Sequence, residues 1–411
     1  MRRAAVITWV LWGFIGVKCY AQPIRAEVQV KSYIHLDHNM LTFPGVHIKP
    51  DMFFSKMKEL MLFGSGKVHL LHIGGSHLQA DIYSNRLRNH LANFLPHLMS
   101  SRGLIFPYSV AKTNNPRNYK VSYDGKWSSV RNVNRVLGNP LGLSGISVST
   151  NDAQAQIRIN FDVPKETKHA FNRIKVLHNT DSLSFDLKWL SEDSVSIQKF
   201  DGYTEIYFTK MQQEIALGFS AKDSIQNRFE LYGLYLESDR PGFVYSAVGV
   251  NGASTWSYLK CEKFGAHLKM MPPDLVFFGI GINDAHDSNF SVQAYQANYD
   301  KLIAQIKAAN PNAFFVFITN NDSYGYNKKL NTNAETVRKA MLELALKYDG
   351  AVWDVFSIMG GYNSSTTWRD SGLMAKDRIH FSGEGYSLLG DLLFNALMDS
   401  FENYLVKQAK N

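Results

Sequence analysis

The chain has 411 residues, more than the roughly 250 to 300 at which a single hydrophobic core usually stops growing, so we expect two domains. Hydrophobic residues make up 45% and charged residues 19% of the sequence, a globular composition that excludes an intrinsically disordered chain. The formal net charge is +8, but the basic residues are dispersed and form neither a basic stripe nor a nucleic-acid motif, so nucleic-acid binding is not predicted.

The first residues have the pattern of an export signal. Arg2 and Arg3 precede an apolar run over residues 4–17, and Cys19-Tyr20-Ala21 then offers a small-x-small cleavage site. We therefore predict a signal peptide over residues 1–21 and a periplasmic or secreted mature protein, with an uncleaved anchor helix as the alternative. This run and every later apolar run are shorter than the roughly 20 residues of a membrane span, so no transmembrane span is predicted in the mature protein.

The sequence contains two cysteines. Removal of the signal would take Cys19 with it and leave Cys261 without a partner. We therefore expect neither an internal disulfide nor a cysteine-based metal site.

Five short apolar runs, each followed by a glycine-rich or polar loop and most by a helical pattern, indicate buried parallel strands. They are Val68–Ile73, Phe243–Val248, Leu275–Ile280, Ala313–Thr319 and Ala351–Trp353. Helices with a 3.6-residue period lie between them; in one, Tyr295, Tyr299, Leu302 and Ile306 share a face. This alternation predicts a doubly wound α/β domain formed by residues 22–107 and 242–411.

The intervening residues 108–241 show a different pattern. Apolar and polar residues alternate with a period of two, for example at Ala155, Ile157 and Ile159, which is typical of antiparallel strands. We predict a β-sandwich inserted into the α/β domain. Its aromatic residues admit two interpretations, core packing or a sugar-stacking platform; they include Trp127, Trp189, Tyr203 and Tyr207.

Four loops at strand ends or before the last helix carry candidate catalytic groups. Ser76 follows the first strand, Gly252 follows the second, Asn283 follows the third, and Asp377 and His380 precede the C-terminal helix. Each motif alone is weak, since Gly-Gly-Ser and Asn-Asp are also ordinary loop sequences. Together they supply a hydroxyl nucleophile, a base with a supporting acid, and donors for an oxyanion.

The order of these blocks resembles that of the SGNH hydrolases, whose signature is a Ser, a Gly, an Asn and an Asp-x-x-His block. The resemblance implies a three-layer, flavodoxin-like sheet and a triad of Ser76, Asp377 and His380. It also implies an oxyanion hole built from the N–H groups of Ser76 and Gly252 and the amide of Asn283, with no metal or organic cofactor.

A narrower resemblance joins the stretch Leu71–Asp81 to the first block of the peptidoglycan O-acetylesterases, which carry an inserted sandwich similar to a carbohydrate-binding module. It implies an O-acetylated envelope glycan, such as peptidoglycan or another polysaccharide, as substrate. The chain departs from the family pattern at Gly75, where the first block has an aspartate. Two consecutive glycines leave this loop freer, and looser positioning of a nucleophile can cost about a hundredfold in rate.

The sequence therefore predicts an exported serine esterase acting on an envelope glycan. Two alternatives are an O-acetyltransferase with the same acyl-enzyme and a carbohydrate-binding protein with weak or no catalysis. Gly75 is the residue that favours the second alternative.

Overall fold

The computed structural model describes residues 25–161, 169–325 and 329–410, so the predicted signal peptide lies outside the described residues. The strands are β1 (Leu41–Thr42), β2 (Lys67–Gly74), β3 (Met99–Ser101), β4 (Gly103–Ile105), β5 (Lys120–Asp124), β6 (Ser128–Arg131), β7 (Ile146–Thr150), β8 (Gln156–Asn160), β9 (Phe171–His178), β10 (Asp186–Trp189), β11 (Val195–Phe200), β12 (Tyr203–Gln212), β13 (Glu214–Ser220), β14 (Phe229–Glu237), β15 (Gly242–Gly249), β16 (Leu275–Gly279), β17 (Phe314–Ile318) and β18 (Ala351–Trp353).

All α-helices in the described ranges lie outside the stretch between β3 and β15. They are α1 (Ile48–Phe63), α2 (Ser76–Gln79), α3 (Tyr83–Ala92), α4 (Thr255–Leu259), α5 (Phe264–Met270), α6 (Ile282–Ala285), α7 (Val292–Ala309), α8 (Ala334–Tyr348), α9 (Val355–Met359), α10 (Ser364–Asp370) and α11 (Gly383–Lys410). None of the helices in the described ranges combines the length and the apolarity needed to cross a membrane.

Seven strands form a mainly parallel sheet in the order β1-β18-β17-β16-β2-β15-β3. All five strands predicted from the apolar runs belong to it, and only β1, at one edge, runs antiparallel. β2 lies between β15 and β16. After β2 the chain forms β3 and β15 on one side of it and then crosses to β16, β17 and β18 on the other side, so the connections change direction at β2. In open α/β sheets such a switch point, at the carboxyl ends of the strands, is where ligands bind.

Helices cover both faces of this sheet because its central strands are apolar on both sides. In β16, Leu275 and Phe277 point into the core beneath α1, α3 and α11, whereas Val276 and Phe278 point into the core beneath α5, α7 and α8. Successive side chains of a strand face opposite ways, so a continuous apolar run buries two faces. The predicted three-layer α/β fold is confirmed.

Between β3 and β15 the chain forms two antiparallel sheets, one in the order β10-β13-β8-β5 and the other in the order β11-β12-β9-β14-β7-β6, with β4 paired to β14. The sheets face each other through aromatic contacts, such as Phe219 with Phe229 at a ring-centroid distance of 4.3 Å and Trp189 with Phe208 at 4.8 Å. The fold class with an inserted antiparallel module is confirmed, while the domain boundaries at residues 107 and 242 stay predictions.

The antiparallel module and the α/β sheet share one hydrophobic core. Leu104, Leu143 and Leu234 of the module belong to the same buried cluster as Ile73 and Val248 of the parallel sheet. This continuity fixes the module beside the carboxyl end of β15, close to the predicted site.

Candidate active site

Ser76 lies where β2 ends and α2 begins, at the switch point of the parallel sheet. The turn passes very close to the end of the neighbouring strand β15. A Cβ at Gly249 would lie 2.4 Å from the backbone nitrogen of Gln79 and 2.6 Å from the carbonyl oxygen of Gly75. Only glycine permits this approach, which places the Ser76 turn against the loop that carries Gly252.

The structure brings Ser76, His380 and Asp377 into one hydrogen-bonded chain. The Ser76 Oγ and His380 Nε2 are 2.7 Å apart, and the His380 Nδ1 and Asp377 Oδ2 are also 2.7 Å apart. An ionised Asp377 can only accept, so His380 carries its proton on Nδ1 and Nε2 is free to accept from the serine hydroxyl. This tautomer is the one a general base needs.

Asp377 is held by the backbone of its own loop. Its Oδ1 accepts hydrogen bonds from the N–H groups of Ile379 at 2.9 Å and His380 at 3.0 Å. Partial burial acts to raise the pKa of the Asp377 carboxyl, but the hydrogen bonds from the His380 side chain and from the two backbone groups outweigh it, and the pKa lies below its ordinary value. The carboxylate is therefore ionised at neutral pH.

Asn283 and Gly252 lie beside the serine turn. The Asn283 Nδ2 donates to the Ala253 carbonyl oxygen at 2.8 Å, which leaves its second hydrogen available. Gly252 has a φ of +82°, in the left-handed region that favours glycine. Within the ranges that the structure describes, the N–H groups of Ser76 and Gly252 donate no hydrogen bond to the protein. The three donors predicted for the oxyanion are thus free to take a ligand.

Gly75 faces the same group of atoms. A Cβ at this position would lie 3.3 Å from the Asn283 Nδ2 and 3.5 Å from the Ala253 carbonyl oxygen. The side chain that the family pattern places here would therefore contact the Asn283 amide. In this chain the Ala253 carbonyl is the group that orients that amide.

Asp284 and Thr255 connect two of the predicted loops, and the sequence reasoning did not assign them a role. The Asp284 carboxylate accepts from the Thr255 N–H at 3.1 Å and from the Thr255 hydroxyl at 2.6 Å. Burial raises the pKa of Asp284 above its ordinary value, and these hydrogen bonds oppose the rise. In the sequence, the Asn-Asp pair after β16 could have indicated this contact, since Asn283 bonds to the Ala253 carbonyl and Asp284 bonds to Thr255.

His77 is a second residue that the sequence reasoning missed. Its Nδ1 lies 2.8 Å from the Tyr386 hydroxyl, and its ring centroid is 5.3 Å from that of His380. Burial lowers the pKa of His77 to about 3, so its ring is neutral beside the proposed base. In the sequence, only its position next to Ser76 indicated that His77 lies at the site.

In the described part of the chain, no three His, Cys, Asp or Glu side chains are grouped closely enough to hold a metal ion.

Residues 218–388 match the model of the GDSL-like lipase/acylhydrolase family. The matched stretch contains Gly252, Asn283, Asp377 and His380, while Ser76 lies before it. A search of curated proteins finds no match.

Among solved structures, a peptidoglycan O-acetylesterase is similar with a TM-score of 0.72 at 20% sequence identity, over 88% of this chain and 99% of that chain. A putative GDSL-like lipase from Parabacteroides merdae has a TM-score of 0.32 at 17% identity, over 38% of this chain and 73% of its own. A family two carbohydrate esterase from Cellvibrio japonicus has a TM-score of 0.28 at 9% identity, over 70% of this chain and 99% of its own. The match to the first of these covers 88% of this chain, so it extends over residues of both the parallel sheet and the antiparallel module.

Proposed function

Since this chain is an SGNH, GDSL-type ester hydrolase by its family match and its fold, we propose that it is an exported serine esterase that removes O-acyl groups, above all O-acetyl groups, from an envelope glycan. The observation that carries the proposal is the Ser76–His380–Asp377 chain of hydrogen bonds, with 2.7 Å at each link, beside the Asn283 amide.

The proposed reaction begins when His380 Nε2 takes the Ser76 hydroxyl proton as Oγ attacks the ester carbonyl carbon. The carbonyl oxygen becomes an oxyanion, which accepts hydrogen bonds from the N–H groups of Ser76 and Gly252 and from the Asn283 amide. The ester C–O bond then breaks, His380 returns the proton to the departing sugar oxygen, and an acyl-enzyme remains. Asp377 stabilises the charged imidazole during both proton transfers.

The second half-reaction releases the acid. Water takes the place of the sugar hydroxyl and gives a proton to His380 as its oxygen attacks the acyl carbon. The bond from that carbon to the Ser76 Oγ breaks and the serine recovers the proton. An acceptor hydroxyl in place of water would give the O-acetyltransferase that the sequence also allows.

Two observations support a glycan as the substrate. A solved structure that is similar over 88% of this chain is a peptidoglycan O-acetylesterase. In addition, Trp256 of α4 is 58% exposed, although it lies three residues after Ala253, whose carbonyl holds the Asn283 amide. An exposed indole in the helix that follows the Gly252 loop suits stacking on the apolar face of a sugar ring.

Export is supported by the basic residues and the apolar run at the start of the sequence. A periplasmic or secreted enzyme would meet envelope polysaccharide directly.

Acetate release tests the proposed function. Purified protein is incubated with a chromogenic acetate and with O-acetylated peptidoglycan, and free acetate is measured. Ser76→Ala is expected to lower kcat by about 10³-fold or more, because the variant lacks the attacking hydroxyl oxygen.

Ser65→Ala is the matched control, because Ser65 is an exposed serine in the loop that precedes the same strand β2, at its opposite end. This variant is expected to keep full activity. Retention of full activity by Ser76→Ala would contradict the proposed function.

A further inference from the structure

Gln79 is a buried residue whose side chain joins three separate segments of the chain. Only 2% of its surface is exposed. Its Oε1 accepts from the Asn251 N–H at 2.7 Å, and its Nε2 donates to the Thr113 Oγ1 at 3.1 Å and to the Asn114 carbonyl oxygen at 2.9 Å. The partners fix the amide orientation, because the Asn251 nitrogen can only donate and the Asn114 oxygen can only accept.

The first of these contacts acts on the loop that supplies an oxyanion donor. Asn251 immediately precedes Gly252, and the Asn251 carbonyl and the Gly252 N–H belong to the same peptide group. The hydrogen bond from the Asn251 N–H to Gln79 therefore anchors the residue that begins this peptide. Gly252 has a φ of +82°, and a glycine can leave that conformation at little cost. An external anchor is therefore needed to keep the Gly252 N–H in one orientation.

The other contacts come from the antiparallel module. Thr113 and Asn114 lie between β4 and β5, within the predicted insert. From the same stretch, the Tyr108 hydroxyl donates to the Gly249 carbonyl oxygen at 3.1 Å, two residues before Asn251. The side chains of Gln79 and Tyr108 thus hold the loop from Gly249 to Gly252. Tyr108 belongs to the stretch 108–114, and Gln79 is hydrogen-bonded to residues of that stretch.

We propose that Gln79, supported by Tyr108, Thr113 and Asn114, is a positioning residue that holds the Gly252 N–H in place for the oxyanion. The antiparallel module then serves the chemical step directly, whether or not it also contacts glycan. This inference rests on the proposed esterase function. Loss of this positioning role is expected to lower kcat. Loss of a sugar-binding role would instead raise KM for the glycan.

Gln79→Leu removes the anchor and keeps a buried side chain of similar volume. Loss of one oxyanion donor costs about 10²-fold to 10³-fold in kcat, so we expect a kcat loss of about 30-fold to 300-fold with KM changed by less than about threefold. Thr113→Val removes one of the two Nε2 contacts and is expected to cost about threefold in kcat. Both are measured on a chromogenic acetate.

Gln212→Leu is the matched control. Gln212 is also a buried glutamine, 8% exposed, but its Nε2 donates to the Lys210 carbonyl within β12. It is expected to lose stability without a change in the kcat of the folded fraction. Equal kcat values for Gln79→Leu and Gln212→Leu would overturn the inference.

Crystal structures of the wild type and Gln79→Leu provide a readout that does not depend on activity. The inference predicts a reoriented or poorly ordered Asn251–Gly252 peptide in the variant, and an unchanged peptide would overturn it. If the wild type hydrolysed no ester, the esterase function would fail on that result alone, and the two structures would still decide whether Gln79 holds the loop.

Discussion

At the residue scale, the Asp377 carboxylate illustrates how a short loop builds its own support. The sequence Asp-Arg-Ile-His folds so that Asp377 accepts from the N–H groups two and three residues later and also from the His380 ring. Arg378, between them, has a φ of +55°, a left-handed conformation that tightens the loop. An aspartate and a histidine three residues apart can therefore face one serine.

Asp377→Asn tests this support. The amide cannot reproduce all three acceptor contacts, and it permits the wrong histidine tautomer, so we expect kcat to fall by about 10²-fold to 10⁴-fold in a folded protein. Steady-state kinetics with circular dichroism as the folding control measure this. A kcat within a factor of two of the wild type would contradict the assigned role.

The difference in stability between the wild type and this variant should depend on pH in a defined direction. Because the pKa of Asp377 is lowered in the folded protein, its carboxylate contributes stability above the ordinary value of 3.8 and loses that contribution as pH falls through the lowered pKa. Urea unfolding should therefore show a constant difference in unfolding free energy between wild type and Asp377→Asn from pH 7 down to about 3.8, and a shrinking difference below that pH. A gap that widens on acidification would contradict the lowered pKa.

Trp256 gives a second prediction for a single residue. Trp256→Ala is expected to lower kcat/KM on O-acetylated glycan by about fivefold to tenfold, the loss of ~1 kcal/mol of stacking, and to leave the chromogenic acetate unaffected. Trp256→Phe keeps an aromatic face and should retain most of the glycan activity. Equal losses on both substrates would show that the indole acts on the fold and not on the sugar.

At the element scale, the loops after β2, β15 and β16 converge because the carboxyl ends of neighbouring parallel strands meet at one edge. Gly74 pairs with Gly249 on one side and with Gly279 on the other, so these strands end at the same level. The site is formed by the loops that follow these three strands and by the loop before α11.

Gly252→Ala tests the loop after β15. Gly66, at the amino end of β2, has a φ of +81° with open space around it, which makes Gly66→Ala the matched control. Both substitutions should cost about 1 to 2 kcal/mol through left-handed strain. Only Gly252→Ala should lower kcat, by about tenfold or more, since it displaces an oxyanion donor. Equal kcat in both variants would remove Gly252 from the site.

The sequence predicted those elements and residues whose signal is local. The central strands are unbroken apolar runs, and Ser76, Asn283 and Gly252 follow them directly. β1 and β3 span only two and three residues at the sheet edges, too short for any periodic pattern. The role of Gln79 could not be predicted from the sequence either. Its partners Thr113 and Asn251 lie far along the chain, and only the folded structure brings them together.

At the scale of the whole molecule, the antiparallel module and the α/β sheet are joined by a common core. The cluster that contains Ile73 and Val248 continues through Leu104 and Leu234, and the Leu104 N–H donates to the Ser246 hydroxyl at 2.9 Å. Because the two parts share this apolar cluster, neither part is expected to keep its fold when the other unfolds.

Calorimetry tests this continuity. A single cooperative transition is expected, with a calorimetric enthalpy equal to the van't Hoff enthalpy. Two resolved transitions would instead indicate modules that fold independently.

The most direct test of the central claim is covalent labelling of the nucleophile. A fluorophosphonate, which reacts with activated serines, is incubated with the folded protein, and the modified peptide is identified by mass spectrometry. We predict one adduct per chain, on Ser76, lost in Ser76→Ala and strongly slowed in His380→Ala. No adduct on the folded wild type, or an adduct on another serine that persists in Ser76→Ala, would contradict the account.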